Sequence, residues 1–463
     1  MNKRATAGVL AVVSLTAIAL TGCTSSGEDG GDGDGGITFW VQEDLPDRVA
    51  ATQEIVDAFT EETGIEVEVV SVAEDQFAQL ITSSAAAGDL PDVIGGISLP
   101  QVRTLSANEF VDTDAVGATI EALDPSTFAE NALTLTSDGD THLAVPSESW
   151  TQMLFYRTDL FEAAGLEAPD SYEAILEAAK TLDSPEVAGF VGATAPGDAF
   201  TEQTFEQIAL GNGCELVNED GEVELDSEAC VNAFQFYGDL TTDYSVPGAQ
   251  DVDTTRATYF AGDAAMFIWS SFVLDELAGL REDAMPSCPE CGNDPAFLAQ
   301  NTGVVTSIAG PDSDSPAQFG EITSWTITEG ANAEASQAFI EYMMGDGYEP
   351  WIAIAPEGKV PVRTGTADEP SRFSDLWATL PAGVDTKAPL SDFYAPEVLE
   401  AVAAGPADLA RWGITQGQGT LLGALQGELP VATAVSEVAQ GGDPADAAAT
   451  AAEAVRSIGE SLE

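Results

Sequence analysis

His142 is the only histidine in the chain, and that bounds the catalysis open to it. A serine or cysteine nucleophile activated by imidazole would have to use this one ring, and no Gly-x-Ser-x-Gly elbow precedes it. One imidazole also makes no multi-histidine metal site, so His142 reads as a surface or hinge-proximal residue. Paired carboxylates hydrolyse glycosides, but among 79 Asp and Glu chance pairs are inevitable and single out nothing. The glycines from Gly27 to Gly36 follow no strand, which removes them as a phosphate-cradling loop. No catalytic residue, metal or cofactor is expected.

Binding has better material. A carbohydrate is gripped by aromatic rings lying against the apolar C–H faces of its sugars, while Asp, Glu, Asn, Gln and Arg hydrogen-bond its hydroxyls. Such sites form beyond the C-terminal ends of strands in open α/β sheets. Gln42, Glu43 and Asp44 follow a first predicted strand, and Gly96, Ile97 and Ser98 follow a third. Of the seven tryptophans, Trp150, Trp269, Trp325 and Trp412 are candidate stacking platforms, and Trp351 and Trp377 read as packing residues. The runner-up is a cationic solute such as a polyamine, or a peptide-like one, since acids flanking tryptophan would also suit an amine.

The elements that must position these residues follow from hydrophobic periodicity. Ile37 to Val41 is a short β-branched and aromatic strand. A helix from Arg48 to Thr63 is stopped by Gly64. Ile65 to Val72 alternates as a strand, Asp75 to Ala87 reads as a helix, and Pro91 to Ile94 is a strand ending in Gly95-Gly96. This β-α-β-α-β run predicts a mainly parallel sheet with right-handed crossovers. Tyr172 to Leu182 and Ala333 to Met344 are amphipathic helices, and helices dominate after about residue 395.

Composition excludes whole classes of partner. With 14 Lys and Arg against 79 Asp and Glu, the formal charge is −65, which leaves no basic footprint for nucleic acid or for an anionic membrane surface. The hydrophobic fraction of 44% still allows a large core, and the length suggests two or three lobes. A surface this acidic suits a medium of high ionic strength, where self-repulsion is screened.

The first residues read as an address. Lys3 and Arg4 precede an apolar run from Ala7 to Leu20, too short for a bilayer span of ~20 residues. Leu20-Thr21-Gly22-Cys23 closes it in the manner of a bacterial lipobox, which makes 1–22 a signal peptide and Cys23 the lipidated first residue. Residues 23–36 are a polar tether. The mature protein is thus expected outside the cytoplasm, held to the outer face of the membrane only by this anchor. Of the four remaining cysteines, Cys214 is expected to pair with Cys230 across a predicted hairpin turn at Asn218 to Gly221. Cys288-Pro-Glu-Cys291 could be a redox pair, half a zinc site or a small structural disulfide, the last being expected because no second close pair completes a four-cysteine zinc site.

Several blocks in order resemble the family 1 extracellular solute-binding proteins of ABC importers, the maltose-binding-like group. Trp40 after the first strand, Thr63 to Val67, and Gly88-Asp89-Leu90-Pro91-Asp92-Val93 resemble the family's opening. Val145-Pro146, Tyr156, Thr158 to Leu166 with Pro169, Gly262 to Met266, Ser324 to Ile327 and Pro361-Val362-Arg363 follow in the family's order. Two positions depart: Arg157 replaces the usual Asn, and the Ala-Met block ends in Trp269-Ser270-Ser271-Phe272. The resemblance implies an α/β fold of two lobes with crossover hinge strands and a ligand cleft between them. Crossings are expected near 144 to 149, 309 to 319 and 346 to 352. Lobe one would be 37–146 plus 312–347, and lobe two 147–311 plus 348–463. The resemblance also places Trp150 just past the first hinge and Trp325 on the returning lobe, and matches Trp412 to a sugar-stacking aromatic. It implies a monomer that captures a small solute, here a sugar or oligosaccharide, and passes it to a membrane permease without changing it. An extracytoplasmic hydrolase is the more distant alternative.

Overall fold

In the computed structural model, which describes residues 35–462, the opening run forms as its pattern dictates. β1 (Ile37–Val41), α1 (Pro46–Thr63), β2 (Val67–Ser71), α2 (Glu74–Ala87) and β3 (Val93–Ile97) follow one another, and α3 (Leu99–Ala107) leaves β3 directly. Gly64 ends α1 in the left-handed region at φ 78°, its N–H on the Thr60 carbonyl, a conformation that costs a residue with a Cβ. β1 pairs in parallel with both neighbours, Phe39 standing opposite Val69 on one side and Val93 on the other. In the Pro91-Asp92 block, the Asp92 carboxylate accepts the Thr38 N–H and the Asn332 N–H, both at 2.8 Å. It thereby clamps β1 to the start of the helix Ala333–Met343.

Beyond β3 the sheet turns mainly antiparallel, so the mainly parallel sheet expected from the first hundred residues describes its β2–β1–β3 edge and, beyond it, only the short parallel pairing of Leu409–Ala410 with the strand Gln318–Ile327. β3 pairs antiparallel with the strand Gln318–Ile327, which pairs antiparallel with the strand Val145–Arg157. The latter is 13 residues long and serves two neighbourhoods. Its first half, Val145 to Thr151, pairs with Gln318–Ile327. Its second half, Gln152 to Arg157, pairs with Met266–Ser270 and Thr302–Val305. The first expected crossing, 144–149, covers the start of Val145–Arg157, and the second, 309–319, ends two residues into Gln318–Ile327. The third meets no strand: 346–352 lies mostly in the helix Tyr348–Ile352, and the chain rejoins the sheet at Val360–Pro361, opposite Ser149 and Glu148.

Two groups of side chains are buried apart. One surrounds β1–β3 and includes Phe39, Phe59, Ile94, Trp325 and Phe339. The other lies past the long strands, with Phe205, Phe234, Tyr237 and Trp412 in one cluster and Phe155, Tyr259, Phe267 and Trp377 in an adjoining one. The expected lobe boundary at 347 cuts through the first group, because Tyr348, Trp351, Ile352 and Phe373 pack within it. Arg363 of the Pro-x-Arg block explains that continuity: its buried guanidinium donates to Thr127 Oγ1, to the Leu123 carbonyl and to the Met344 carbonyl. The helix Gly419–Leu425, expected wholly in lobe two, also meets α3, so closely that a Cβ on Gly423 would lie 2.8 Å from Thr104 Oγ1.

Both predicted cysteine pairs are at bonding distance, Cys214 with Cys230 and Cys288 with Cys291. The turn between the first pair closes by the Gly221 N–H on the Asn218 carbonyl. No helix among the described residues is long and apolar enough to cross a membrane. Cys23, the signal segment and most of the tether lie outside the described residues.

Candidate functional site

The C-terminal ends of β1 and β3 open on a cavity of about 1560 Å³. β1 delivers Gln42, Glu43 and Asp44 to it, and β3 delivers Gly96 and Ser98. The pairing that aligns the two strands continues into this loop, with the Gln42 N–H on the Gly95 carbonyl at 3.1 Å. The long strands contribute Glu148, Trp150, Glu321 and Thr323, the two acids from positions beside the antiparallel seam. The helix Ala199–Gly211 presents Glu202 and Glu206, one turn apart and hence on one face. Trp269 and Phe272 arrive from the end of Met266–Ser270, and Trp351, Lys359 and Arg411 from the later crossings.

The floor is ionic and buried, with Glu148, Glu206, Glu321 and Arg411 each almost fully covered. Arg411 bridges two acids: Nε lies 3.3 Å from Glu206 Oε1, and Nη1 contacts Glu321 Oε2. Glu206 also accepts the Trp412 N–H at 2.8 Å, and Glu321 accepts the Leu99 N–H at the start of α3 at 2.8 Å. That contact places an anion where the helix dipole favours one. Burial works against the guanidinium, but the Glu321 and Glu206 carboxylates outweigh it and raise the Arg411 pKa further. A second pair joins Lys359 Nζ to Glu148 Oε1 at 2.7 Å, with Glu148 Oε2 accepting the Trp351 indole N–H at 2.9 Å. Lys359 Nζ sits 3.8 Å from the Trp351 ring centroid, a cation–π contact. Arg48 lies 3.7 Å from Glu43 and 3.5 Å from the buried Glu357, with Phe272 5.7 Å away.

Asp44, which is exposed, and two acids with buried oxygens stand outside these pairings. Burial first, and the neighbouring Glu206 charge second, push the Glu202 carboxyl up to about 8, against a smaller opposing pull from Arg411. Asp198, at the N-cap of the same helix, uses Oδ1 for the Phe200 N–H at 3.1 Å. Its pKa is also raised, chiefly by desolvation. Among the described residues, Glu202 Oε2 and Asp198 Oδ2 are buried and have no hydrogen-bond partner.

Seven of the nine expected ligand residues line the cavity: Gln42, Glu43, Asp44, Gly96, Ser98, Trp150 and Trp269. Trp325 and Trp412 do not. Trp325 is fully buried, stacked on Phe39 with centroids 5.2 Å apart and edge-on to Trp351. Gly95 makes this possible, since a Cβ there would stand 2.6 Å from the indole. Trp412 turns into the second core, its indole N–H on the Cys214 carbonyl at 2.7 Å and its ring edge-on to Phe205. Its neighbour Arg411 takes the cavity instead. Trp269 and Phe272 both line the wall, and Trp351, expected to be packing alone, lines it too. His142 lies away from this cavity, with Nδ1 2.8 Å from Ser137 Oγ in a short hairpin. No group of three or more His, Cys, Asp and Glu among the described residues is arranged to hold a metal.

Sequence reasoning missed Glu148, Glu202, Glu206 and Glu321, because nothing in a chain with 79 acids marks the few that are buried at this wall. Lys359 and Arg411 carried a usable signal. Basic residues are scarce here, and one next to an aromatic or a Pro-x-Arg block stands out against the acidic background.

A sheet shared by two lobes, with a cavity at its strand ends walled from both sides, defines an α/β binding protein of the hinged two-lobe class. Residues 42–350 match the bacterial extracellular solute-binding protein family, and the chain belongs to that family. It is 28% identical over 324 residues to the putative ABC transporter periplasmic-binding protein YcjN of Escherichia coli K12, an alignment that covers 68% of this chain and 70% of the relative. Among solved structures it resembles a sugar transporter from Arthrobacter chlorophenolicus with bound laminaribiose, at TM-score 0.67 and 20% identity, covering 91% of this chain and 99% of that one. It also resembles the GacH receptor of Streptomyces glaucescens, solved unliganded and with acarbose, at TM-score 0.64 and 21% identity, covering 92% and 99%. A cyclic alpha-maltosyl-1,6-maltose binding protein from Arthrobacter globiformis matches at TM-score 0.68 and 17% identity, covering 92% and 99%.

Proposed function

We propose that this solute-binding protein captures a carbohydrate in the cavity between its lobes and delivers it, chemically unchanged, to an ABC import permease. The observation that carries the reading is the wall itself. Trp150 and Phe272, both only partly buried, and the largely buried Trp269 and Trp351 border one space with Gln42, Asp44, Glu148 and Glu321, which supplies aromatic surface beside hydrogen-bonding groups. The laminaribiose, acarbose and cyclic maltosyl-maltose named for similar structures support the same class of solute. A volume of about 1560 Å³ exceeds the ~300–1,000 Å³ of ordinary small-ligand clefts and favours an oligosaccharide over a single sugar. Turnover is disfavoured because Glu148, Glu206 and Glu321 are each tied to a cation or a backbone N–H.

In this reading Cys23 carries the lipid, the tether up to residue 36 holds the lobes off the membrane, and the protein acts as a monomer. Lobe one is built around β1–β3 and lobe two around the second half of Val145–Arg157. A cationic solute is the second reading, favoured by the two uncompensated acids on the helix Ala199–Gly211. A thermal-shift screen against neutral saccharides of one to six units, polyamines and peptides separates the readings, since ligand at 100 times its Kd adds about 2.7 kcal/mol. A shift with saccharides supports the proposal, and a shift with polyamines or peptides alone overturns it.

A further inference from the structure

Charge in the cavity does not balance, and the imbalance has an address. Three cationic residues line the space, and each is already engaged: Arg411 by Glu206 and Glu321, Lys359 by Glu148, and Arg48 by Glu43 and Glu357. Three lining acids have no cation partner: Asp44, which is exposed, and Asp198 and Glu202, which come from the N-cap and first turn of one helix and carry buried oxygens. Glu202 is 5% exposed, and its Oε2 finds no partner among the described residues, nor does Asp198 Oδ2. Phe200, between them in sequence, lines the same wall, with its ring 5.8 Å from that of Trp269.

A buried carboxylate without a partner is costly, and a hydroxyl donor relieves only the hydrogen bond and leaves the charge. An ammonium group relieves both, through charge-assisted hydrogen bonds roughly twice as strong as neutral ones, and aromatic faces beside it add cation–π attraction. Resting on the carbohydrate reading above, we propose that the solute is an amine-bearing oligosaccharide whose protonated amino group is received by Glu202 and Asp198.

The step has a proton balance. With Glu202 pushed up to about 8, much of it is protonated at neutral pH before binding. When the ammonium arrives, the Glu202 O–H bond breaks, its proton leaves to buffer, and the carboxylate pairs with the ligand cation. The charged neighbours that set this balance are Glu206 on the same helix, Arg411 from the crossing segment, and Asp251, which acts on Asp198.

Isothermal titration of the mature protein with chitosan tetramer, its fully N-acetylated counterpart and cellotetraose, at pH 5.5, where the tetramer's amines already carry their protons and Glu202 keeps its own, in buffers of different ionisation enthalpy, tests the assignment. The expected result is at least tenfold tighter binding of the chitosan tetramer than of the other two, with net proton release for that ligand alone. E202Q should shrink the preference and abolish the release, and D198N should shrink the preference by a smaller factor. If E202Q does not fold, proton release in the natural protein and the D198N ratio still decide. Equal affinities for the three tetramers overturn the amine while leaving the carbohydrate reading intact. Binding of spermidine with no response to any saccharide overturns the carbohydrate reading and the proposal together.

Discussion

Replacing Arg411 by Met should unfold the ligand-free protein more easily, and more so as the pH rises. Arg411 is almost fully buried between Glu206 and Glu321, themselves buried. Removing the guanidinium leaves two carboxylates facing each other without a counter-charge, a loss of about 3–5 kcal/mol for one partner of a buried pair. At about 2.1 cal/mol/K of unfolding entropy per residue, a unit of ~430 residues has about 0.9 kcal/mol/K, so Tm should fall by roughly 3–6 °C near pH 8. The sign of the pH dependence follows from the carboxylates. Burial already raises the Glu206 pKa, and loss of Arg411 raises it further, so the folded variant holds protons that the unfolded chain releases above its ordinary value of ~4.3. Its deficit should therefore be small at pH 5 and grow toward pH 8. Differential scanning calorimetry of both proteins from pH 5 to 8 measures this, and adding E206Q and E321Q should recover most of the loss. A deficit under ~1 kcal/mol, or one that does not change with pH, would refute the triad as described.

The remaining predictions separate platform from core and anchor from fold. Trp150→Ala should weaken oligosaccharide binding by about 1–3 kcal/mol at little cost in Tm, Trp269→Ala should weaken binding and also lower Tm, because its ring is buried and its indole N–H is held by the Val252 carbonyl, and Trp325→Ala and Trp412→Ala should cost ~3–5 kcal/mol of stability, read by denaturant melts beside titrations. Thiol titration without reductant should find Cys214, Cys230, Cys288 and Cys291 unreactive, and opening the Cys214–Cys230 loop by reduction should cost roughly 3 kcal/mol. Cys23→Ser should release the protein from membranes, as fractionation shows, because two or three acyl chains are needed for stable anchoring.

Which of these residues could be read from the sequence depends on how local their cause is. β1, α1 and the Gly64 stop are set by short-range pattern and backbone conformation, and they form within a few residues of where periodicity places them. Gln42, Glu43, Asp44, Gly96 and Ser98 reach the cavity because strand ends in an open sheet determine where they go. Trp325 and Trp412 went the other way for non-local reasons. A glycine across the sheet lets the first lie flat on Phe39, and a carbonyl from the Cys214 segment captures the indole of the second. The antiparallel long strands and the lobe boundary past 347 likewise rest on pairings between residues some 170 to 230 positions apart, which no local window contains. The buried acids were hidden by composition rather than distance.

The central claim is that aromatic residues lining one cavity hold a carbohydrate, and tryptophan fluorescence tests it most directly. Titration of the mature protein with neutral and amine-bearing oligosaccharides should give a saturable change in emission for at least one of them. That change should be lost or reduced at least tenfold in apparent affinity when Trp150 and Trp269 are both replaced by Ala, with the recovered saccharide intact by mass. An unresponsive panel, an unaltered titration in the double variant, or a hydrolysed saccharide would contradict it.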